Sequence, residues 1–401
     1  MRVLIAFDKF KDSLTAREAC ETAARALRAR HPDWQLDLCP LADGGDGFVD
    51  LLCHSAGGAV QKFPVEGPRG GLIEAGIGLV PLTKIPKAAR ELLRLDPIPP
   101  MADRVGPAAQ KSRPAPAGAE TTVAIVEMAA ASGLALLPPQ ARDPWRASSY
   151  GTGQLIRAAS ELGAGAVLLG IGGSATHDLG LGALSALGFE FRGADGAKIR
   201  PPVPAQWPRL ARIEGALYPS IPPIRIACDV SNPLLGPRGA AAVYAPQKGL
   251  GPADFERLEA ATAGMAARLI AASGAAPDLA KRPGAGAAGG ISFGLMAAAG
   301  ALLLPGFELV SAWLNLEARV ASADLVVTGE GRFDESSSEG KGPGAVAAQA
   351  RRLGRPAHVF AGEIRGKSAV HLHAITPAGT PLPRALREAR ANLAAEVGRI
   401  F

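Results

Sequence analysis

The feature that most constrains this chain is a short apolar run that ends abruptly in a polar, glycine-containing loop, and the feature recurs. Arg2–Phe7 (RVLIAF) spans one buried strand and gives way to Asp8, Lys11 and Ser13. A helical pattern then runs from Thr15 to about Arg30, with Leu14 and Thr15 placed as hydrophobic staple and N-cap. Gln35–Leu41 (QLDLCPL) alternates apolar and polar, enters the loop Ala42–Gly47, and is followed by a helical stretch at Phe48–Ala56. Near the other end, Ala323–Thr328 and Ala357–Ala361 repeat the pattern around a helix at Ala345–Leu353.

Strand, loop and helix at both ends of the chain predict an α/β fold: a doubly wound, flavodoxin- or Rossmann-like domain formed from residues 1–80 and 292–401. Residues 81–291 carry their own strands, Ala166–Ile171 and Ile224–Cys228, and their own long helices, and read as a second, inserted α/β domain. Within it, residues 82–119 are rich in proline, alanine and basic side chains. A short helix fits around Ala88–Leu95, and the rest has the composition of an extended excursion.

At 401 residues, 48% hydrophobic and 20% charged, the chain has enough apolar material for two domain cores. Its formal charge of +6 comes from scattered basic residues, and with 5% aromatics there is no stacking platform for nucleic acid; an anionic small substrate suits the charge as well. The N-terminus lacks the apolar stretch of a secretory signal. The longest uncharged stretch, Pro283–Phe307, is broken by glycines and Pro305 and reads as a glycine loop leading into a buried helix, so no membrane partner is expected. Cys20, Cys39, Cys53 and Cys228 have no CxxC or metal-ligand spacing, which fits reduced thiols in the cytoplasm. The histidines, His358, His371 and His373 among them, show no zinc-type spacing and read as core or surface residues.

The polar residues that suggest chemistry follow predicted strands, at the rim where open α/β sheets bind ligands. They are Asp8, Lys11 and Ser13 after the first strand; Asp43, Gly44, Gly45 and Asp46 after the second; Asp229, Ser231 and Asn232 after Ile224–Cys228; and Glu330 and Asp334 in GEGRFD. Carboxylates there suit Mg²⁺, while Asp and Asn are also ordinary turn residues, and Asp12 and Ser13 could simply cap a helix.

Around Gly170-x-Gly172-x-x-Ala175 the pattern matches a dinucleotide fingerprint, so an NAD(P)-dependent oxidoreductase is a genuine rival. Ser174, Thr176, His177 and Asp178 crowd more polar groups into that turn than a dinucleotide requires, which favours a phosphate-handling turn. Gly284-Ala-Gly286-Ala-Ala-Gly289 has similar spacing without a preceding strand, and Gly362–Ser368 misses the P-loop pattern by one residue. A non-catalytic nucleotide-binding protein is a third reading.

Taken in order, FDKFKDSLTA, PLADGGDG, TTVAIVEMAAASGL, ASSYGTGQLI, GIGGSATHDLG, CDVSNPLLGPRGAAAVYAPQKG, PGAGAAGG and VVTGEGRFD with GKGPGAVA resemble the type I glycerate kinase family along almost the whole chain. The resemblance implies two α/β domains, ATP and Mg²⁺, D-glycerate as acceptor, and usually 2-phosphoglycerate, otherwise 3-phosphoglycerate, as product; it leaves homo-oligomerisation open. Onto this pattern the candidate roles map as follows. Asp178 is the expected general base, with Lys11 and Asp43 also catalytic, and Asp8, Ser13 and Arg238 bind substrate. Gly172, Gly173, Ser174, Gly284, Gly286 and Gly289 offer amides to ATP phosphates, and Asp229, Glu330 and Asp334 hold the metal. Where the family commonly has Asn-Asp-Gly-Gly, this chain has His177-Asp178-Leu179-Gly180.

Overall fold

The computed structural model describes residues 1–42, 44–95, 121–334, 337, 342–365 and 369–401. Asp43 and residues 96–119 of the proline-rich stretch lie outside the described residues. The chain divides into two compact units, Met1–Asp43 with Phe307–Phe401, and Gly44–Gly306.

The first unit is built on a five-stranded parallel sheet in the spatial order His371–Ala374, Ala357–Ile364, Leu325–Phe333, Arg2–Phe7, Gln35–Leu38. Arg2–Phe7 is an interior strand, between Leu325–Phe333 and the edge strand Gln35–Leu38. Val3 to Phe7 are all fully buried, which is why that run is continuously apolar instead of alternating. Val3, Ile5 and Phe7 pack with Cys20 and Leu27 of the helix Ala16–Arg30 and with Leu393 and Val397 of the helix Leu382–Ile400. Thr15 caps the first helix as expected, through a reciprocal capping box: its hydroxyl accepts the Glu18 amide at 3.2 Å, and the Glu18 carboxylate takes the Thr15 amide at 2.9 Å.

The second unit holds a six-stranded sheet ordered Leu302–Leu304, Ile224–Ala227, Ala166–Gly170, Thr122–Glu127, Leu72–Pro81, Ala59–Glu66. The first four strands are parallel and the last two join antiparallel as a hairpin. That hairpin moves the boundary: Leu72–Pro81 is laddered to Thr122–Glu127, so the chain leaves the first unit at residue 43 instead of 80 and returns at 307 instead of 292. The start of the proline-rich stretch is also seated on this unit. Its helix, Lys87–Leu93, buries Ala89 and Leu93, and the buried Arg225 donates to the Leu93 and Arg94 carbonyls at 2.7 and 2.8 Å, satisfying the helix end. The glycine-rich stretch leads, as expected, into a buried helix, Ala287–Ala299. Among the described residues no helix is long and apolar enough to cross a membrane.

Candidate active site

The buried strand Ala166–Gly170 delivers the chain to a turn whose geometry is set by close backbone packing. The Gly172 amide donates to the Gly44 carbonyl at 3.0 Å, and a Cβ on Gly172 would lie 2.6 Å from Gly45 Cα, so only glycine lets the two loops touch. On the other side, the Leu134 amide donates to Gly173 and the Ala175 amide to Ser132, at 2.7 and 2.9 Å. Gly173, at φ +71° the left-handed residue of this turn, is exposed, while Ser174 behind it is buried. An exposed backbone turn of this kind can offer an amide to an anion. The following helix, Leu181–Ala186, starts well past the glycines, so the turn is not the strand-turn-helix of a dinucleotide fingerprint.

Asp178 is not placed as a general base needs to be. It is fully buried; its Oδ2 accepts the Ser149 amide and hydroxyl, both at 2.8 Å, and the Gly182 amide at 3.2 Å, while Oδ1 accepts the Gly180 amide at 3.1 Å. Burial pushes its carboxyl up from the usual range, against the pull of those hydrogen bonds. The carboxylate clamps the starts of two helices, Tyr150–Glu161 and Leu181–Ala186, and presents no face to a substrate hydroxyl. Beside it Leu179 occupies the left-handed region at φ +55°, where the related pattern has glycine.

His177 is likewise buried. Thr262 Oγ1 gives its proton to the Leu258 carbonyl at 2.6 Å, so at 2.9 Å it must accept from His177 Nε2, leaving Nδ1 unprotonated and unpartnered. Burial, with a contribution from Lys248, pushes this imidazole down to about 3.

The second glycine segment is also corrected. Gly284, Gly286 and Gly289 are buried, and their missing side chains face protein: a Cβ would lie 2.7 Å from Leu303 Cδ1, 2.1 Å from the Pro233 carbonyl and 2.0 Å from the Thr176 carbonyl, respectively. The Gly286 amide donates to Asn232 at 3.0 Å, and Ser292 Oγ donates to the Gly284 carbonyl at 2.6 Å. This is a packing hinge, with no surface for ATP.

Sequence reasoning passed over Lys248, which is 1% exposed and donates to Ser174 Oγ at 2.9 Å and to the Thr176 carbonyl at 2.6 Å. Its only sequence signal was the block YAPQKG, where a lysine reads as surface. Arg238, by contrast, is exposed on the loop after Ile224–Ala227, a loop held by Asn232, which donates to the Arg238 carbonyl at 2.8 Å and accepts from the Tyr244 hydroxyl at 2.6 Å. Asp229 is half-buried at the start of that loop.

In the first unit, the parallel register pairs Phe7 with Gly329, and the Asp8 amide donates to the Gly329 carbonyl at 2.9 Å, which makes Asp8 and Glu330 neighbours at one rim. The strand continues to Phe333, so Glu330 lies within the strand and not in a loop after it. A Cβ on Gly342 would come within 3.6 Å of Asp8 Oδ2, which puts that carboxylate at the first turn of the helix Gly342–Arg352, where the helix dipole favours negative charge. Lys11 is exposed in the same loop. Ser13 is diverted: its hydroxyl donates to the Leu386 carbonyl at 2.7 Å, tying the loop to the C-terminal helix and not to a substrate. Asp334 pairs with Arg332 at 3.0 Å. Among the described residues no three His, Cys, Asp or Glu side chains converge as a metal ligand set. Asp8, Glu330 and Asp334 are hard oxygen donors of the kind Mg²⁺ takes, and that ion commonly completes its shell with water and phosphate oxygens.

Each unit thus carries polar groups near the ends of its parallel strands, an exposed glycine turn and Arg238 in one, Lys11 and two neighbouring carboxylates in the other. Such features suit phosphoryl transfer. The glycerate kinase family matches residues 3–92 and 99–401, and the chain belongs to that family. It is 36% identical to a glycerate kinase of Halalkalibacterium halodurans over 95% of this chain and 91% of that one. It is 35% identical to a glycerate 2-kinase of Escherichia coli over 94% and 89%. A solved chain assigned as glycerate kinase 2 from Salmonella typhimurium LT2 superposes with a TM-score of 0.73 at 34% identity, covering 100% of this chain and 97% of that one.

Proposed function

We propose that the protein transfers the γ-phosphoryl group of ATP to a hydroxyl of D-glycerate in a Mg²⁺-dependent reaction, with 2-phosphoglycerate as product. The observation that carries this reading is the glycine turn after the buried strand Ala166–Gly170, where Gly173 is exposed and Ser174 beside it accepts from the buried Lys248. The choice of the 2-hydroxyl follows the Escherichia coli relative, which is named for that position.

Phosphoryl transfer needs positioning and charge neutralisation more than covalent chemistry. The exposed Gly173 turn holds phosphate oxygens, and the exposed Lys11 and Arg238 neutralise carboxylate or phosphate charge. Asp8 and Glu330, neighbours at one rim, would hold Mg²⁺ with phosphate and water oxygens completing its shell; the ion when bound neutralises charge developing on the phosphates. With Asp178 enclosed, the proton acceptor moves to Asp229, half-buried at a strand end; Asp43, the other candidate, lies outside the described residues. Asp229→Asn should lower kcat by about 10²–10⁴-fold, the range for a lost general base. The deciding experiment measures D-glycerate-dependent ATP consumption with Mg²⁺ alongside NAD(H) and NADP(H) absorbance. Turnover of ATP without nicotinamide change supports the kinase; tight ATP binding with no hydroxy acid phosphorylated rejects it.

A further inference from the structure

Lys248 is a buried ammonium whose described hydrogen bonds all go to neutral oxygens. It reaches Ser174 Oγ and the Thr176 carbonyl, and no carboxylate lies within ion-pair distance of it among the described residues. Burying a cation without a counter-ion is costly, and such groups are normally paired. The nearest carboxylate to act on it, Asp178, does so only through space, because its own oxygens are spent on Ser149, Gly180 and Gly182. The protein therefore keeps behind the Gly173–Ser174 turn an amine whose charged form no described residue pairs.

The hydrogen-bond directions show where that charge is felt. Ser174 Oγ accepts from Lys248, so the serine's own hydrogen remains to be donated elsewhere, and Ser174 stands next to the exposed Gly173. The second bond, to the Thr176 carbonyl, holds the distal side of the same turn against the short helical segment Pro246–Lys248.

We propose that Lys248 is a positioning residue for a polyphosphate: from behind the turn it polarises Ser174 and fixes the backbone, so that the exposed Gly173 backbone and the Ser174 hydroxyl are presented to a phosphate oxygen whose charge it balances. This deepens the phosphotransfer reading and rests on it. Burial pushes the Lys248 ammonium down to about 7, and an anion bound at the turn would favour its charged form.

A purely structural strut predicts something different from the same substitution. Replacing Lys248 by methionine keeps the aliphatic stem and removes the charge, and apolar replacement of a buried charge is often neutral or stabilising. The test titrates the full chain with tripolyphosphate and with ADP by calorimetry, alongside melting temperature and the KM for D-glycerate. Lys248→Met should bind both probes about 10- to 100-fold more weakly, the span of a lost charge-assisted hydrogen bond, with melting temperature and glycerate KM held. Unchanged probe affinity in a folded Lys248→Met overturns the inference, as does a wild-type chain that binds neither probe.

Should Lys248→Met fail to fold, Ser174→Ala retains the cation and removes the relay. A roughly tenfold loss of tripolyphosphate affinity supports the proposal, and no loss overturns it. Glycerate-dependent ATP consumption is scored separately. A kinase that turns over and binds tripolyphosphate equally well with and without Lys248 removes this inference and leaves the kinase reading standing.

Discussion

Two glycine-rich segments of the second unit, Gly170–Gly173 and Gly284–Gly290, share a spacing and differ in what surrounds them. The first ends at an exposed glycine, Gly173, with the buried Ser174 behind it. The second is enclosed, bent by left-handed residues at Gly284, Ala288, Gly289 and Gly290, and pressed against the Thr176–Leu179 backbone and Pro233. A glycine pattern reports only that the backbone must come close to something or adopt positive φ. Whether that something is a ligand or the protein's own chain is a property of the neighbours. Here the inner segment supports the outer one: Gly289 packs under Thr176, the same residue whose carbonyl holds Lys248 behind the exposed turn.

The sharpest way to break this comparison is Gly289→Ala. Its new Cβ would sit 2.0 Å from the Thr176 carbonyl at a backbone φ of +72°, so we expect loss of more than about 4 kcal/mol, read as insoluble protein or a collapsed melting transition. If Gly289→Ala melts like the wild type, the segment is not a packing hinge.

Asp178→Asn comes next. An amide can keep its oxygen toward the Ser149 and Gly182 donors only by turning its NH2 toward the Gly180 amide, a buried donor–donor contact costing about 2–3 kcal/mol, visible as a lowered denaturant midpoint. A large fall in kcat at unchanged stability would restore Asp178 as the base.

A smaller effect is expected from pH. His177 is held neutral in the folded state with its pKa pushed down to about 3, whereas the unfolded chain protonates near 6.5. The folded pKa is the lower one, so its contribution is complete above pH 6.5 and is lost as pH falls from there toward 3. At pH 5 the loss is about 2 kcal/mol. Chemical denaturation of wild type and His177→Asn at pH 7 and pH 5 checks it: the variant should lack this part of the acid destabilisation.

The smallest change in stability belongs to the exposed turn. Gly173→Ala places a Cβ 3.2 Å from Ala129 Cβ and from Asp46 Oδ1 at φ +71°, a strain of about 1 kcal/mol. Its melting temperature should move by only a few degrees, while ADP affinity falls, because the alanine narrows the exposed glycine of this turn. Equal ADP affinity would make this turn as structural as the buried one.

Much of the fold was legible from local pattern. Arg2–Phe7 announces a fully covered parallel strand because every residue from Val3 to Phe7 is apolar, and Thr15 announces a helix start because its hydroxyl and Glu18 can satisfy each other's amides. The hairpin Ala59–Pro81 was not legible as part of the second unit, since that assignment depends on a ladder to Thr122–Glu127 across a long sequence gap. The site divides in the same way. Asp8, Lys11 and Arg238 follow strands, and strand ends can be read from the chain; Glu330 is expected after a strand that in fact runs on to Phe333. Asp178 and Ser13 follow strands too, but their oxygens are engaged by Ser149 and Leu386, partners that only folding brings near. Lys248 is the reverse case, a lysine with every local mark of a surface residue that becomes a buried cation because the chain around it closes over Ser174 and Thr176. Local sequence determined which segments are strands and helices, because that depends on periodicity and on a few neighbouring hydrogen bonds. Tertiary structure decided which polar groups remain available for chemistry, because availability depends on desolvation and on partners remote in sequence.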